Sequence, residues 1–209
     1  MSVATKRMET FTQKAKAVSA VVNTVKTPDE AFAYVVDLCD KKEACQLLVS
    51  GCEMDLSTKG EALCDKKQTK VIAAPALPKK QFEALKALCD AQGFDCIDSG
   101  LRNHLAGIDI GLTYADWGIA ETGSLVIDSS SENLRLTTMV SEIHVAILPV
   151  SKIKDTSYDQ EKALSGLFGK TPNYTAFVTG ASRTADIERV LALGVHGPLE
   201  LHILLLEDK

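Results

Sequence analysis

The sequence predicts an α/β fold, a mostly parallel sheet with helices on both faces. Two observations carry this expectation. Short buried apolar runs of strand length alternate with amphipathic segments of helix length, the pattern of a parallel sheet covered on both sides. The chain is also long enough to close a core without disulfides or metals, with 209 residues of which 45% are hydrophobic.

The elements follow in order. Met8, Phe11, Ala15 and Val18 form one helical stripe, and Val21–Val25 reads as a strand. Thr27-Pro28-Asp29-Glu30 is a helix start: Thr27 can cap, Pro28 suits the first helical position and Glu30 completes a capping box. That helix should run to about Lys41, with a short strand at Gln46–Ser50. Val71–Ala74 is a further strand. Pro78 opens a helix with Phe82, Leu85, Leu88 and Cys89 on one face, ended by Gly93, and Asp95–Asp98 follows as a strand. Ser124–Asp128, His144–Val150, Tyr174–Thr179 and Leu199–Leu206 are the later strands. Asp186–Leu193 reads as a short helix with Ile187, Val190 and Leu191 inward. Two long connections, Ser99–Ala120 and Ser151–Asn173, are expected to be functional or mobile. Neither has linker composition, so residues 1–209 are expected to form one domain.

Composition excludes several classes. The net charge is −5 and no basic stripe is present, so nucleic acid is not an expected partner. The longest apolar runs, Val145–Val150 and Leu201–Leu206, are too short to span a bilayer. No apolar segment of signal-peptide length follows Lys6 and Arg7, which makes the cytoplasm the expected compartment. Cys39, Cys45, Cys52, Cys64, Cys89 and Cys96 form no C-x-x-C pair or cluster spacing, and read as small core residues in a reducing compartment. A redox or metal role for a subset around Cys45 and Cys52 is the alternative. No metal site and no cofactor are expected in this chain.

Three constellations could carry chemistry. The first is Gly180-Ala181-Ser182-Arg183-Thr184-Ala185-Asp186, placed between a buried strand and the expected helix. Unpaired N–H groups at a helix start attract anions, Ser182 and Thr184 add hydroxyls, and Arg183 can grip a carboxylate or phosphate with two prongs. The same residues could instead cap the helix, with Asp186 and Glu188 answering its dipole. The second is Ala120-Glu121-Thr122-Gly123-Ser124. Glu121 could serve as base, nucleophile or anchor, and Gly123 would let the backbone approach a ligand. It could equally be a turn carboxylate satisfied by local N–H groups. The third is Gly194-Val195-His196-Gly197-Pro198, where His196 could bond a ligand or staple its loop. His144 and His202 read as structural, and Trp117 as a core residue, with stacking on a ligand as the alternative.

Taken together, these motifs resemble the LUD-domain family, the lactate utilization protein C group. The run Thr113-Tyr114-Ala115-Asp116-Trp117-Gly118-Ile119-Ala120-Glu121-Thr122-Gly123 resembles the family's AD-x-(A/G)-IAETG segment, and Ser141–Pro149 its next strand. Gly180–Glu188, followed by Leu193-Gly194-Val195-His196-Gly197-Pro198, resembles its SG-x-S-x-TADIE…LGVHGP signature. The resemblance covers about residues 110–208. It implies a fold similar to the sugar-phosphate isomerase and coenzyme A transferase superfamily. It also implies an accessory role in oxidising lactate to pyruvate, beside iron–sulfur redox subunits that carry the clusters, and a small carboxylate or phosphate ligand. The implied ligand-binding residues are Thr122, Gly123, Gly180, Ser182, Arg183, Thr184, Asp186 and His196, with Glu121 as the catalytic candidate. In coenzyme A transferases the glutamate of a similar Glu-x-Gly turn is the acyl acceptor. An enzyme acting on a coenzyme A ester or sugar phosphate through Glu121 is therefore the alternative, and a purely structural assembly subunit is the third reading. One departure is that Asp128–Arg135 holds no glycine where many members are glycine-rich; hydroxyls or Arg135 could substitute there.

Overall fold

A computed structural model describes residues 3–42, 69–104, 107–168, 174–185, 191–193 and 197–208. The expected strand at Gln46–Ser50 lies outside them, as do Cys45, Cys52 and Cys64. The main sheet has six strands, all pairings parallel: β1 (Ala20–Val25), β2 (Val71–Ala73), β3 (Asp95–Ile97), β4 (Ile108–Tyr114), β7 (Ser141–Pro149) and β12 (Glu200–Leu206). Their order is β1-β12-β7-β4-β2-β3. A second sheet, ordered β8-β5-β6-β9, joins β5 (Trp117–Ile119), β6 (Ser124–Asp128), β8 (Ile153–Lys154) and β9 (Thr175–Val178). β10 (Arg183–Ala185) and β11 (Leu191–Leu193) form an antiparallel pair.

The helices cover both faces of the main sheet, as expected. On one face lie α2 (Pro28–Lys41) and α3 (Lys79–Gln92), whose Phe32, Val35, Leu85 and Cys89 pack on Ile110, Leu112, Val145, Ile147 and Leu204. On the other, α1 (Val3–Ala17), α4 (Glu132–Val140) and the second sheet bury Phe11, Ala15, Leu134, Leu125 and Ile127 against Ala146, Leu148, Leu201 and Ile203. The alternation of Ile147 and Leu148, or Leu204 and Leu205, between the two cores is the period-two rule of a strand buried on both sides. Local signals set the helix ends. Thr27 Oγ1 accepts from Glu30 N at 3.2 Å, while the Glu30 carboxylate accepts from Lys26 N at 2.7 Å, one residue short of a closed capping box. Gly93 ends α3 with φ 72°.

Four expectations need correction. Ser99–Ala120 is no loop: it contains β4, an inner strand of the main sheet, and β5. Ser151–Asn173 contains β8 and α5 (Glu161–Phe168). Leu191–Leu193 is a strand against Arg183–Ala185, so the helix expected over 186–193 fails at that end, and residues 186–190 lie outside the described residues. A short apolar run such as Leu-Ala-Leu fits either element, and an antiparallel partner decides it here. Leu88 is 41% exposed, because α3 buries the narrower stripe of Leu85 and Cys89.

Candidate functional site

The turn Ala120–Gly123 links the antiparallel strands β5 and β6, and its backbone is fixed from outside the hairpin. Ala120 N donates to Lys154 O at 2.8 Å and Glu121 N to Asp155 O at 3.0 Å. Glu121 is exposed, and its Oε1 accepts from Ser157 N at 2.8 Å. The loop that holds it is itself tied to α1. Arg7 donates Nε and Nη2 to the two oxygens of Asp155 at 2.9 and 2.6 Å, and Nη1 to Ile153 O at 3.3 Å. This bidentate guanidinium contact holds the Asp155 carboxyl below its ordinary range.

The second turn lies beside the first because β6 and β9 pair antiparallel, with Leu125 opposite Val178. Ser124 Oγ then meets Thr179 Oγ1 at 2.7 Å and Thr122 Oγ1 at 2.8 Å, a line of three hydroxyls joining the two turns. Beyond Thr179, Gly180 has φ 74°. Ser182 N donates to Pro198 O at 3.0 Å, and a Cβ on Gly197 would lie 3.2 Å from Ser182 Cβ. The first two constellations and the Gly197-Pro198 end of the third are therefore adjacent. Arg183 is exposed and has no hydrogen bond or ion pair among the described residues. Asp186, Glu188 and His196 lie outside the described residues; Thr184 is placed in β10 opposite Ala192.

Both turn glycines have a packing reason, and it is the same one. Gly123 has φ 67°, and a Cβ there would lie 2.2 Å from Ala15 N. At Gly180 a Cβ would lie 2.3 Å from Val18 O. Each turn thus rests on the backbone at the end of α1, and the approach made possible by Gly123 is to this helix. The helix-start argument for anions also needs correction. Arg183–Ala185 is extended and Ser182 N is already bonded to Pro198 O, so these residues offer no helix start; the start expected at Asp186 lies outside the described residues.

The run Asp128–Arg135 is committed to its own loop. Ser130 N and Oγ donate to Asp128 Oδ1 at 3.1 and 2.5 Å, and Arg135 Nη1 donates to Ser129 O and Ser130 O at 2.7 and 3.0 Å. The Arg135 guanidinium also sits 5.4 Å over the Tyr174 ring. Trp117 is half-buried in β5.

A second polar cluster lies inside the main sheet. Asp109, fully buried, accepts from Lys42 Nζ at 2.9 Å and from Val71 N at 2.8 Å, and Lys42 Nζ is 3.1 Å from Glu142 Oε2. Burial pulls the Lys42 ammonium down, but Asp109 and Glu142 outweigh it and its pKa stays above the ordinary value. His144 Nε2 lies 2.9 Å from Thr113 Oγ1, and burial lowers its pKa to about 4. His202 is bonded on both sides, to Tyr34 Oη and Glu200 Oε2, each at 2.7 Å. These two histidines are structural. Cys39, Cys89 and Cys96 are buried, and burial pushes the Cys39 thiol up to about 12. Among the described residues no group of three His, Cys, Asp or Glu could hold a metal, and no helix is long and apolar enough to cross a membrane.

Sequence reasoning missed Thr179, Ser157 and the Arg7–Asp155 tie. Nothing local marks them; each matters through a partner far along the chain.

The family model of the LUD domain matches residues 8–206. The chain belongs to the LUD-domain family. It is similar to lactate utilization protein C of Halalkalibacterium halodurans, 34% identical over 104 residues, which cover 48% of this chain and 45% of that protein. Lactate utilization protein C of Shouchella clausii is 32% identical over 103 residues, with the same coverage. An uncharacterized protein of Neisseria meningitidis serogroup B is 33% identical over 108 residues, 52% of this chain and 46% of that one. The matched stretch thus spans less than half the length of these LUD relatives. A solved DUF162 family protein from Deinococcus radiodurans shares the fold, with a TM-score of 0.62 at 15% identity over 99% of both chains.

Proposed function

We propose that this LUD-domain chain is an accessory protein of lactate utilization, the oxidation of lactate to pyruvate. In this reading it binds a small carboxylate or phosphate at the paired turns and works with iron–sulfur redox partners, which carry the clusters. The observation that carries the proposal is the adjacency of the two turns through Thr122, Ser124 and Thr179, with Arg183 exposed beside them. Hydroxyls and a guanidinium are the donors that a small oxyanion needs. The similarity to proteins named lactate utilization protein C supplies the pathway. Glu121, Thr122, Gly123, Gly180, Ser182, Arg183, Thr184, Asp186 and His196 are the proposed site, in a cytoplasmic protein.

A thermal-shift series tests it. Lactate, pyruvate and inorganic phosphate are added in turn, and a ligand that binds the native state alone raises the melting temperature. Arg183→Ala should weaken the effective ligand by about 1.5–3 kcal/mol, the scale of a hydrogen bond to a charged group. No shift with any of the three, or a shift untouched by Arg183→Ala, overturns the anion site.

A second reading is favoured by one observation. Glu121 is exposed, and among the described residues only its Oε1 has a partner, leaving the other oxygen open to a substrate. An enzyme acting on a coenzyme A ester or sugar phosphate could use it as nucleophile or base. Glu121→Gln would then abolish turnover with binding retained; unchanged turnover removes Glu121 from catalysis.

A further inference from the structure

We infer that β1 is a pairing edge on which a second copy of this chain docks antiparallel, joining the two six-stranded sheets across a two-fold axis. β1 ends the sheet and hydrogen-bonds β12 on its inner side. Among the described residues no strand pairs with its outer side. Monomeric proteins usually blunt such an edge with lysine, proline or a bulge. The segment Ala20-Val21-Val22-Asn23-Thr24-Val25 has no charge and no proline, four of its six residues are β-branched, and Val21 is 41% exposed.

The occupant is argued from charge and symmetry. Beside the edge runs an open groove of about 480 Å³ between Met8 and Thr12 of α1 and Val22 and Thr24 of β1, with Glu9 towards one end and Lys16 towards the other. Glu9 and Lys16 are both exposed, and neither has an ion pair among the described residues. A two-fold axis perpendicular to the sheet runs β1 antiparallel to its copy and keeps both α1 helices on the same face, also antiparallel. Glu9 of each copy then faces Lys16 of the other, so one contact forms two ion pairs, the self-complementarity that an isologous interface requires. Parallel pairing would send the helices to opposite faces and form neither pair. A register centred on Asn23 sets Val22 against Thr24 of the second copy on the α1 side.

Sedimentation velocity of the full chain across the micromolar range tests this. The wild type should be a dimer. Val21→Lys, at an exposed position, and Glu9→Lys, which sets lysine against lysine, should each weaken the dimer about tenfold or more. Combining Glu9→Lys with Lys16→Glu should restore it. An unchanged far-ultraviolet circular dichroism spectrum in each variant shows that the fold is intact, while the melting temperature of the dissociated variants should fall and lose its dependence on concentration. A wild type monomeric at the highest concentration, a dimer indifferent to both single variants, or one dissociated by Phe177→Lys on the β9 edge instead, overturns the inference.

Discussion

In the six-stranded sheet the polar side chains of β4 and β7 end on protein partners: Asp109 on Lys42 and Val71 N, Thr113 on His144. In the turns of the four-stranded sheet the hydroxyls bond one another, while Glu121 keeps an open carboxylate oxygen and Arg183 an open guanidinium among the described residues. Both regions are rich in groups that a sequence reader would shortlist for chemistry. Burial separates them. An unpartnered charge inside a sheet costs too much to keep, so the buried charges of the main sheet are consumed by the fold, and exposed turns are where reactivity can be left over.

The widest test of that contrast is Asp109→Ala. It strips Lys42 of a buried partner and leaves Val71 N unbonded, and should cost about 3–5 kcal/mol, read from urea unfolding midpoints. A loss below about 1 kcal/mol would mean that the cluster is no more committed than the turns.

Gly180→Ala sharpens the contrast within the turns. A left-handed backbone and a Cβ 2.3 Å from Val18 O should together cost about 2 kcal/mol or more. Gly93→Ala shares the positive φ but meets nothing within 4 Å, and should cost about 1 kcal/mol. Equal losses would show that backbone strain, not the seat on α1, sets the requirement.

The remaining effect is a slope, read per pH unit. His144 is neutral in the fold with a pKa of about 4, and its unfolded value is near 6.5. Between those values the unfolded chain binds the extra proton, so stability falls as pH drops from about 7 towards 4, by up to about 1.4 kcal/mol per pH unit. His144→Gln should flatten that slope; an unchanged slope assigns the loss to other groups.

Much of this architecture is legible in the sequence. The helix from Pro28 to Lys41 follows from its cap, its proline and its stripe, and β6, β7, β9 and β12 from their apolar runs. β4 was missed because Asp109, Gly111 and Thr113 look like turn chemistry. Each is explained by a distant partner, including Gly111, where a Cβ would lie 2.5 Å from the Thr137 carbonyl. α4 was missed for a related reason: Thr137 and Thr138 bond back to Asn133 O and Arg135 O, so residues of weak helix propensity are satisfied within the helix. The candidate site was legible as two separate turns. Their adjacency was not, since it depends on the β6–β9 register and on one line of hydroxyls.

The close seats of Gly123 and Gly180 on Ala15 and Val18 make the first helix a shared template for two turns more than a hundred residues downstream. The motif-bearing stretch cannot be grafted elsewhere as a cassette. A transplant must carry the helix with it, because the surface that moulds both turns is supplied by the opening residues of the chain.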